Sequence, residues 1–187
     1  MRLRKGGGKM RLITFQKFKA WEKVQKEGIY KCYFNSEYRQ KLTSIYKKMT
    51  RLVQEKTDED VFTPIWCWRR IDDTYVSSFK SVDLERCQGM TKLDDIAILL
   101  EVPDNLAVLT DFYRWVDVMY FTEYPDAPDL YCSHEELWAN MFNIRKEQSI
   151  QACIPFIAKE HVLGVWQINE HGYQAKNIFQ SFILKEG

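Results

Sequence analysis

The sequence predicts a single α+β domain with mixed, mostly antiparallel sheets and helices packed around them. Three observations carry that expectation. The 187 residues are 45% hydrophobic and 14% aromatic, spread along the whole chain, enough for one core that buries roughly 70% of the unfolded surface. Helical periodicity is concentrated in the first half and strand-like runs in the second. No internal repeat occurs at any period. The expected organisation is a flexible basic tail over residues 1–9, with four basic residues and Gly6-Gly7-Gly8, followed by one domain over 10–187.

The elements follow in order. Leu12-Ile13-Thr14-Phe15-Gln16 alternates and is rich in strand formers, so it reads as a first strand. Phe18, Trp21 and Val24 then recur at helical spacing until Gly28, a helix with a glycine stop. Ile29 to Phe34 is aromatic and reads as a second short strand or an extended crossing. Asn35-Ser36 offer an N-cap to a helix on which Tyr38, Leu42, Ile45, Tyr46, Met49, Leu52 and Val53 mark the buried face through about Glu55.

Thr57-Asp58-Glu59-Asp60 is an acidic turn. Phe62 to Trp68 reads as a strand with Pro64 near its beginning, Ile65 and Cys67 on one face and Trp66 and Trp68 on the other. The charged stretch 69–94 reads as a long loop with a short strand near Tyr75 to Phe79. Ile96 to Val102 is a buried strand closed by Pro103-Asp104-Asn105, and Leu106 to Leu109 is another. Thr110 or Asp111 then caps a helix bearing Phe112, Trp115, Val116 and Met119. Ser133 and Glu136 form a capping-box pattern before Leu137 and Trp138. Ile150 to Ile157, Gly164 to Ile168 and Ile178 to Leu184 read as the remaining strands, with a turn from Ala158 to Leu163.

Charge is distributed unevenly. Residues 1–56 hold sixteen Lys and Arg against four Asp and Glu, an excess of twelve, whereas the remainder carries an acidic excess of eleven. Part of the basic excess falls on the polar face of the Asn35–Glu55 helix, at Arg39, Lys41, Lys47, Lys48 and Arg51. That face reads either as a solvated surface or as a footprint for phosphates, with Arg69 and Arg70 as further nucleic-acid contacts. The longest uninterrupted apolar run, Ile96 to Leu100, is far short of the roughly 20 residues that span a bilayer, and the N-terminus lacks a signal-peptide core. A cytoplasmic protein without membrane partners is therefore expected.

Several chemistries have no sequence support. The five cysteines form no CxxC pair, and the three histidines have no metal-ligand spacing, so no metal site is expected. There is no Walker phosphate loop, no GxGxxG and no GxSxG, and residues 29–88 contain no glycine. An ordinary kinase, dehydrogenase or α/β-hydrolase is not indicated. Trp66 and Trp68, side by side on one strand face and followed by Arg69-Arg70, suit either a core or a stacking platform for a base.

Taken together, Met10-Arg-Leu-Ile-Thr-Phe-Gln16 with Trp21 and Gly28, Pro64-Ile-Trp-Cys-Trp68, Leu99-Leu-Glu-Val-Pro-Asp104, Val108-Leu-Thr-Asp-Phe112 with Trp115, and Ile150-Gln-Ala152 resemble an uncharacterised bacterial family. It is the domain-of-unknown-function family numbered 3841, and the resemblance covers nearly the whole chain from Met10. A fainter likeness lies in the element order. A first strand with a central polar residue, a helix ending at Gly, a strand running into Thr-Asp and a late Gln-Ala-x strand look like the ADP-ribosyltransferases that modify DNA.

That likeness implies an ADP-ribosyltransferase-like fold that binds NAD or a related nucleotide, as substrate rather than resident cofactor, with a role in phage defence or toxin biology. By position, Thr14 and Gln16 would grip the nicotinamide ribose, Trp66 and Trp68 would stack on the base, and Gln151-Ala152-Cys153 would hold the catalytic position. The family's glutamate is replaced there by Cys153. The carboxylate that polarises a ribose hydroxyl must then come from elsewhere, with Asp111 the first candidate, or the fold binds a nucleotide without transferring it, or the likeness is one of topology alone. The alternative, from a different class, is a non-enzymatic nucleic-acid- or protein-binding module that uses the basic tail and helix face.

Overall fold

Strand β1 (Lys9–Gln16) lies in the middle of a sheet whose order is β10-β9-β5-β1-β3-β7-β6. The other strands are β2 (Ile29–Tyr30), β3 (Ile65–Ile71), β4 (Thr74–Tyr75), β5 (Ile96–Pro103), β6 (Val108–Asp111), β7 (Ile150–Ile154), β8 (Ile157–Ala158), β9 (Val162–Ile168) and β10 (Ala175–Asn177). Strand β4 pairs only with β3, and β2 and β8 form a separate two-stranded ribbon. The helices are α1 (Phe18–Glu27), α2 (Thr43–Thr57), α3 (Phe112–Glu123) and α4 (His134–Asn140). These elements belong to a computed structural model that describes residues 8–33, 42–82, 96–126, 132–145, 148–168 and 175–179.

Every described ladder is antiparallel. One sheet runs from Lys9 to Asn177 with helices against it, so the chain is a mixed α+β unit of mostly antiparallel strands. Strand β1 pairs with β5 along its full length, from Lys9 opposite Pro103 to Gln16 opposite Ile96. Its ladder to β3 has a single register pair, Ile13 opposite Trp68. The sheet therefore loosens on that side of β1.

Side-chain alternation gives the sheet two apolar faces. On one, Met10, Leu12, Cys67, Ile98, Leu100, Ala152 and Val165 pack with Trp21 and Val24 of α1. The opposite face has two parts. Ile13, Phe15, Trp68, Ala97 and Leu99 pack with Val76 and Ile168. Beside them, Val108 and Cys153 lie beneath Ile45, Met49 and Val53 of α2, Trp115 and Val118 of α3, and Leu137 and Met141 of α4.

Local signals explain the helix boundaries. Gly28 closes α1 at φ 76°, a left-handed conformation that suits glycine, and its N–H donates to Val24. Asp58 ends α2 in the same region at φ 57°. The carboxylate of Asp111 caps α3 by accepting from the amides of Tyr113 and Arg114 at 3.0 and 3.2 Å. Ser133 and Glu136 make the reciprocal capping box that starts α4.

Four expectations need correction. Lys9, assigned to the tail, is the first residue of β1 and lies opposite Pro103. The charged stretch after Trp68 is not all loop. Strand β3 continues to Ile71 and turns at Asp72, φ 50°, into β4. Its charges hid the strand, because Arg69 and Arg70 lay their guanidinium groups against the Tyr75 ring, 5.1 and 5.3 Å from its centroid. The last described strand is Ala175–Asn177, with Ile178 buried just beyond it, rather than one starting at Ile178; residues 180–184 lie outside the described residues. The Asn35-Ser36 cap and the remaining tail residues 1–7 also lie outside them. Among the described residues no helix is long and apolar enough to cross a membrane.

Candidate functional site

The register divides the residues expected to grip a nucleotide. Ile13 and Trp68 are partners and share a face, so Thr14 and Gln16 point to the other. Thr14 is fully buried and its hydroxyl donates to the Trp66 carbonyl at 2.8 Å, while Gln16 Nε2 donates to Thr14 Oγ1 at 2.9 Å. The pair bridges the loosened β1–β3 seam. That is structural work at the place where ladder hydrogen bonds run out.

Trp66, Trp68, Gln151 and Cys153 do come together on the opposite face. Trp66 lies opposite Cys153 and Trp68 opposite Gln151. The tryptophan rings are already covered on one side. Trp66 stacks on Trp115 at 4.6 Å, with Tyr46 edge-on to both rings, and Trp68 meets Phe112 at 4.8 Å. Cys153 is completely buried, and burial, with the neighbouring Cys67 a smaller contributor, raises its thiol well above the ordinary range. A neutral buried thiol is neither nucleophile nor general base at neutral pH. Asp111 stands at the end of this region. One carboxylate oxygen caps α3, whereas Oδ2 is buried and has no hydrogen-bond partner.

The basic residues also separate. Lys47, Lys48 and Arg51 lie together on the exposed side of α2, facing away from Ile45, Met49 and Val53. None makes an ion pair with a carboxylate among the described residues. Lys48 Nζ sits 4.3 Å from the centroid of the Trp138 ring on α4. Arg39 lies outside the described residues. Arg69 is half-buried and donates to the Arg11 carbonyl at 3.2 Å. Arg70 is only 3% exposed and donates to the Asp72 carbonyl at 2.7 Å, so it is no surface phosphate contact. Among the described residues no group of three or more His, Cys, Asp or Glu is placed to hold a metal ion.

Two features were missed by sequence reasoning. Trp138 lies ninety residues from Lys48 in the chain, and no local pattern announces their contact. Thr110 was weighed only as a helix cap, yet its buried hydroxyl has no hydrogen-bond partner and it stands opposite Gln151, whose Oε1 is likewise buried and unpartnered. Comparisons with protein-family models, with curated proteins and with solved structures find no match to this chain.

Proposed function

We propose that the protein is a non-enzymatic binding module for an anionic partner, nucleic acid, engaged through the exposed face of α2. The observation that carries the reading is the uncompensated charge of Lys47, Lys48 and Arg51. These residues are spaced three and four apart, where like charges on a helix destabilise it by about 0.2–0.5 kcal/mol per pair. Elsewhere the basic N-terminal segment finds acids from later in the chain: Lys9 and Arg11 reach Glu101 at 3.5 and 3.6 Å, and Lys31 reaches Asp60 at 3.5 Å. The α2 face lacks such partners and has the Trp138 ring beside it, the combination of cation and aromatic surface that suits a phosphate backbone and its bases.

Fluorescence anisotropy with a labelled oligonucleotide tests the proposal. Replacing Lys47, Lys48 and Arg51 together by Gln should weaken binding at least tenfold while leaving the melting temperature within a few degrees, since the three side chains pack against nothing in the core. Affinity unchanged by the triple substitution contradicts it.

The likeness to DNA-modifying ADP-ribosyltransferases supports a second reading, binding of NAD. Its support is the grouping of Trp66, Trp68, Gln151 and Cys153 on one sheet face near Asp111. With no carboxylate at position 153, transfer would depend on Asp111. Millimolar NAD or ADP-ribose should raise the melting temperature of the native chain by mass action. No shift with either ligand removes this reading.

A further inference from the structure

Where β6 runs into α3, three adjoining side chains bury oxygen atoms without donors. Thr110, Asp111 and Gln151 are 0%, 1% and 5% exposed. Thr110 and Gln151 face each other directly across the β6–β7 ladder, and Asp111 follows Thr110 as the N-cap of α3. Directly opposed residues of an antiparallel pair bring their Cβ atoms to about 4.5–5.5 Å. Thr110 Oγ1, Asp111 Oδ2 and Gln151 Oε1 are all buried, and none has a hydrogen-bond partner. Buried polar groups are ordinarily satisfied, so three neighbours left open at one end of a sheet mark missing partners.

The chemistry of the missing partner is narrow. A carboxylate oxygen and an amide oxygen only accept, and a threonine hydroxyl accepts as well as donates. What would complete the site is therefore rich in N–H or O–H donors. Aromatic surface adjoins it, with Trp68 opposite Gln151 in register and Phe112 next to Asp111 in the chain, their rings 4.8 Å apart. Planar N–H donors between aromatic walls describe a nucleobase edge.

We propose that Thr110, Asp111 and Gln151 form a recognition site for a base with two adjacent N–H donors, as guanine carries at N1 and N2. The site is separate from the α2 surface and does not rest on it. Asp111 Oδ2 and Gln151 Oε1 accept from the base edge, and Thr110 Oγ1 completes the set. A lone water, with two donors, would leave one of the three oxygens open.

Thermal denaturation with nucleosides decides the matter. Millimolar guanosine should raise the melting temperature of the native protein, inosine, which lacks the N2 amine, should raise it less, and uridine should leave it unchanged. A guanine-containing single-stranded oligonucleotide, compared with one lacking guanine, distinguishes a base within a strand from a free nucleoside. Thr110→Val and Gln151→Leu should each abolish the guanosine shift and melt at or above the native temperature, because each deletes a buried oxygen that has no donor. Guanosine without effect on the native chain overturns the proposal. So does an equal guanosine shift in the variants, or variants that melt several degrees lower, the mark of an internal water network. The native nucleoside series stands even if a variant fails to fold, and the α2 triple variant should keep its guanosine shift.

Discussion

Thr14 occupies the position where β1 and β3 stop pairing, and its hydroxyl reaches the Trp66 carbonyl instead of a neighbouring strand amide. Thr14→Val leaves that carbonyl and Gln16 Nε2 without their present partner and should lower stability by about 1–3 kcal/mol in urea denaturation. The buried thiols make a second statement at this scale. Burial pushes Cys67 up to about 12, against a smaller lowering by its Thr14 hydrogen bond, and raises Cys153 as well. In the unfolded chain both ionise near 9.0. Above that pH the unfolded state binds fewer protons than the folded one, so stability present below pH 9 is lost as pH rises toward the folded values. Stability measured from pH 8 to 11 should fall, and Cys67→Ala with Cys153→Ala should flatten the fall. The polar character of Thr14 and Gln16 was legible in the sequence, but their task was not. A strand pattern assigns a face without saying where a neighbouring strand ends.

At the scale of elements, the legible features were those written within a few residues. The glycine stop of α1, the Asp111 cap and the Ser133–Glu136 box all appear where local chemistry predicts them. The β3–β4 hairpin was not legible, because Arg69 and Arg70 look like loop residues until Tyr75 folds back against them. Strand β9 shows another constraint invisible to periodicity. A Cβ on Gly164 would lie 2.4 Å from the ring of Trp166, which stacks on Phe79 at 4.5 Å. Gly164→Ala should therefore displace that ring and cost about 1–3 kcal/mol by overpacking. A shifted tryptophan emission with a lower melting temperature is the expected result.

For the whole molecule, the class was legible and the topology was not. Mixed periodicities indicated α+β, yet nothing in the chain placed β1 between β3 and β5, because those pairings join segments about fifty and ninety residues away. The same long-range folding splits the candidate nucleotide site across the sheet and gathers Thr110, Asp111 and Gln151 at one end of it. Charge follows this logic too. Part of the N-terminal basic excess is met by Glu101 and Asp60, in exposed pairs typically worth about 0–1 kcal/mol, and the α2 face is left without described acidic partners.

The most direct test of that surface is the salt dependence of nucleic-acid binding, compared between the native chain and the Lys47→Gln, Lys48→Gln, Arg51→Gln variant. Each phosphate contact contributes about 0.9 to the slope of log K against log salt on a duplex. The proposed surface predicts a steep slope for the native chain that becomes shallower by about 2–3 in the variant. A flat native slope, or an identical slope in both proteins, contradicts it.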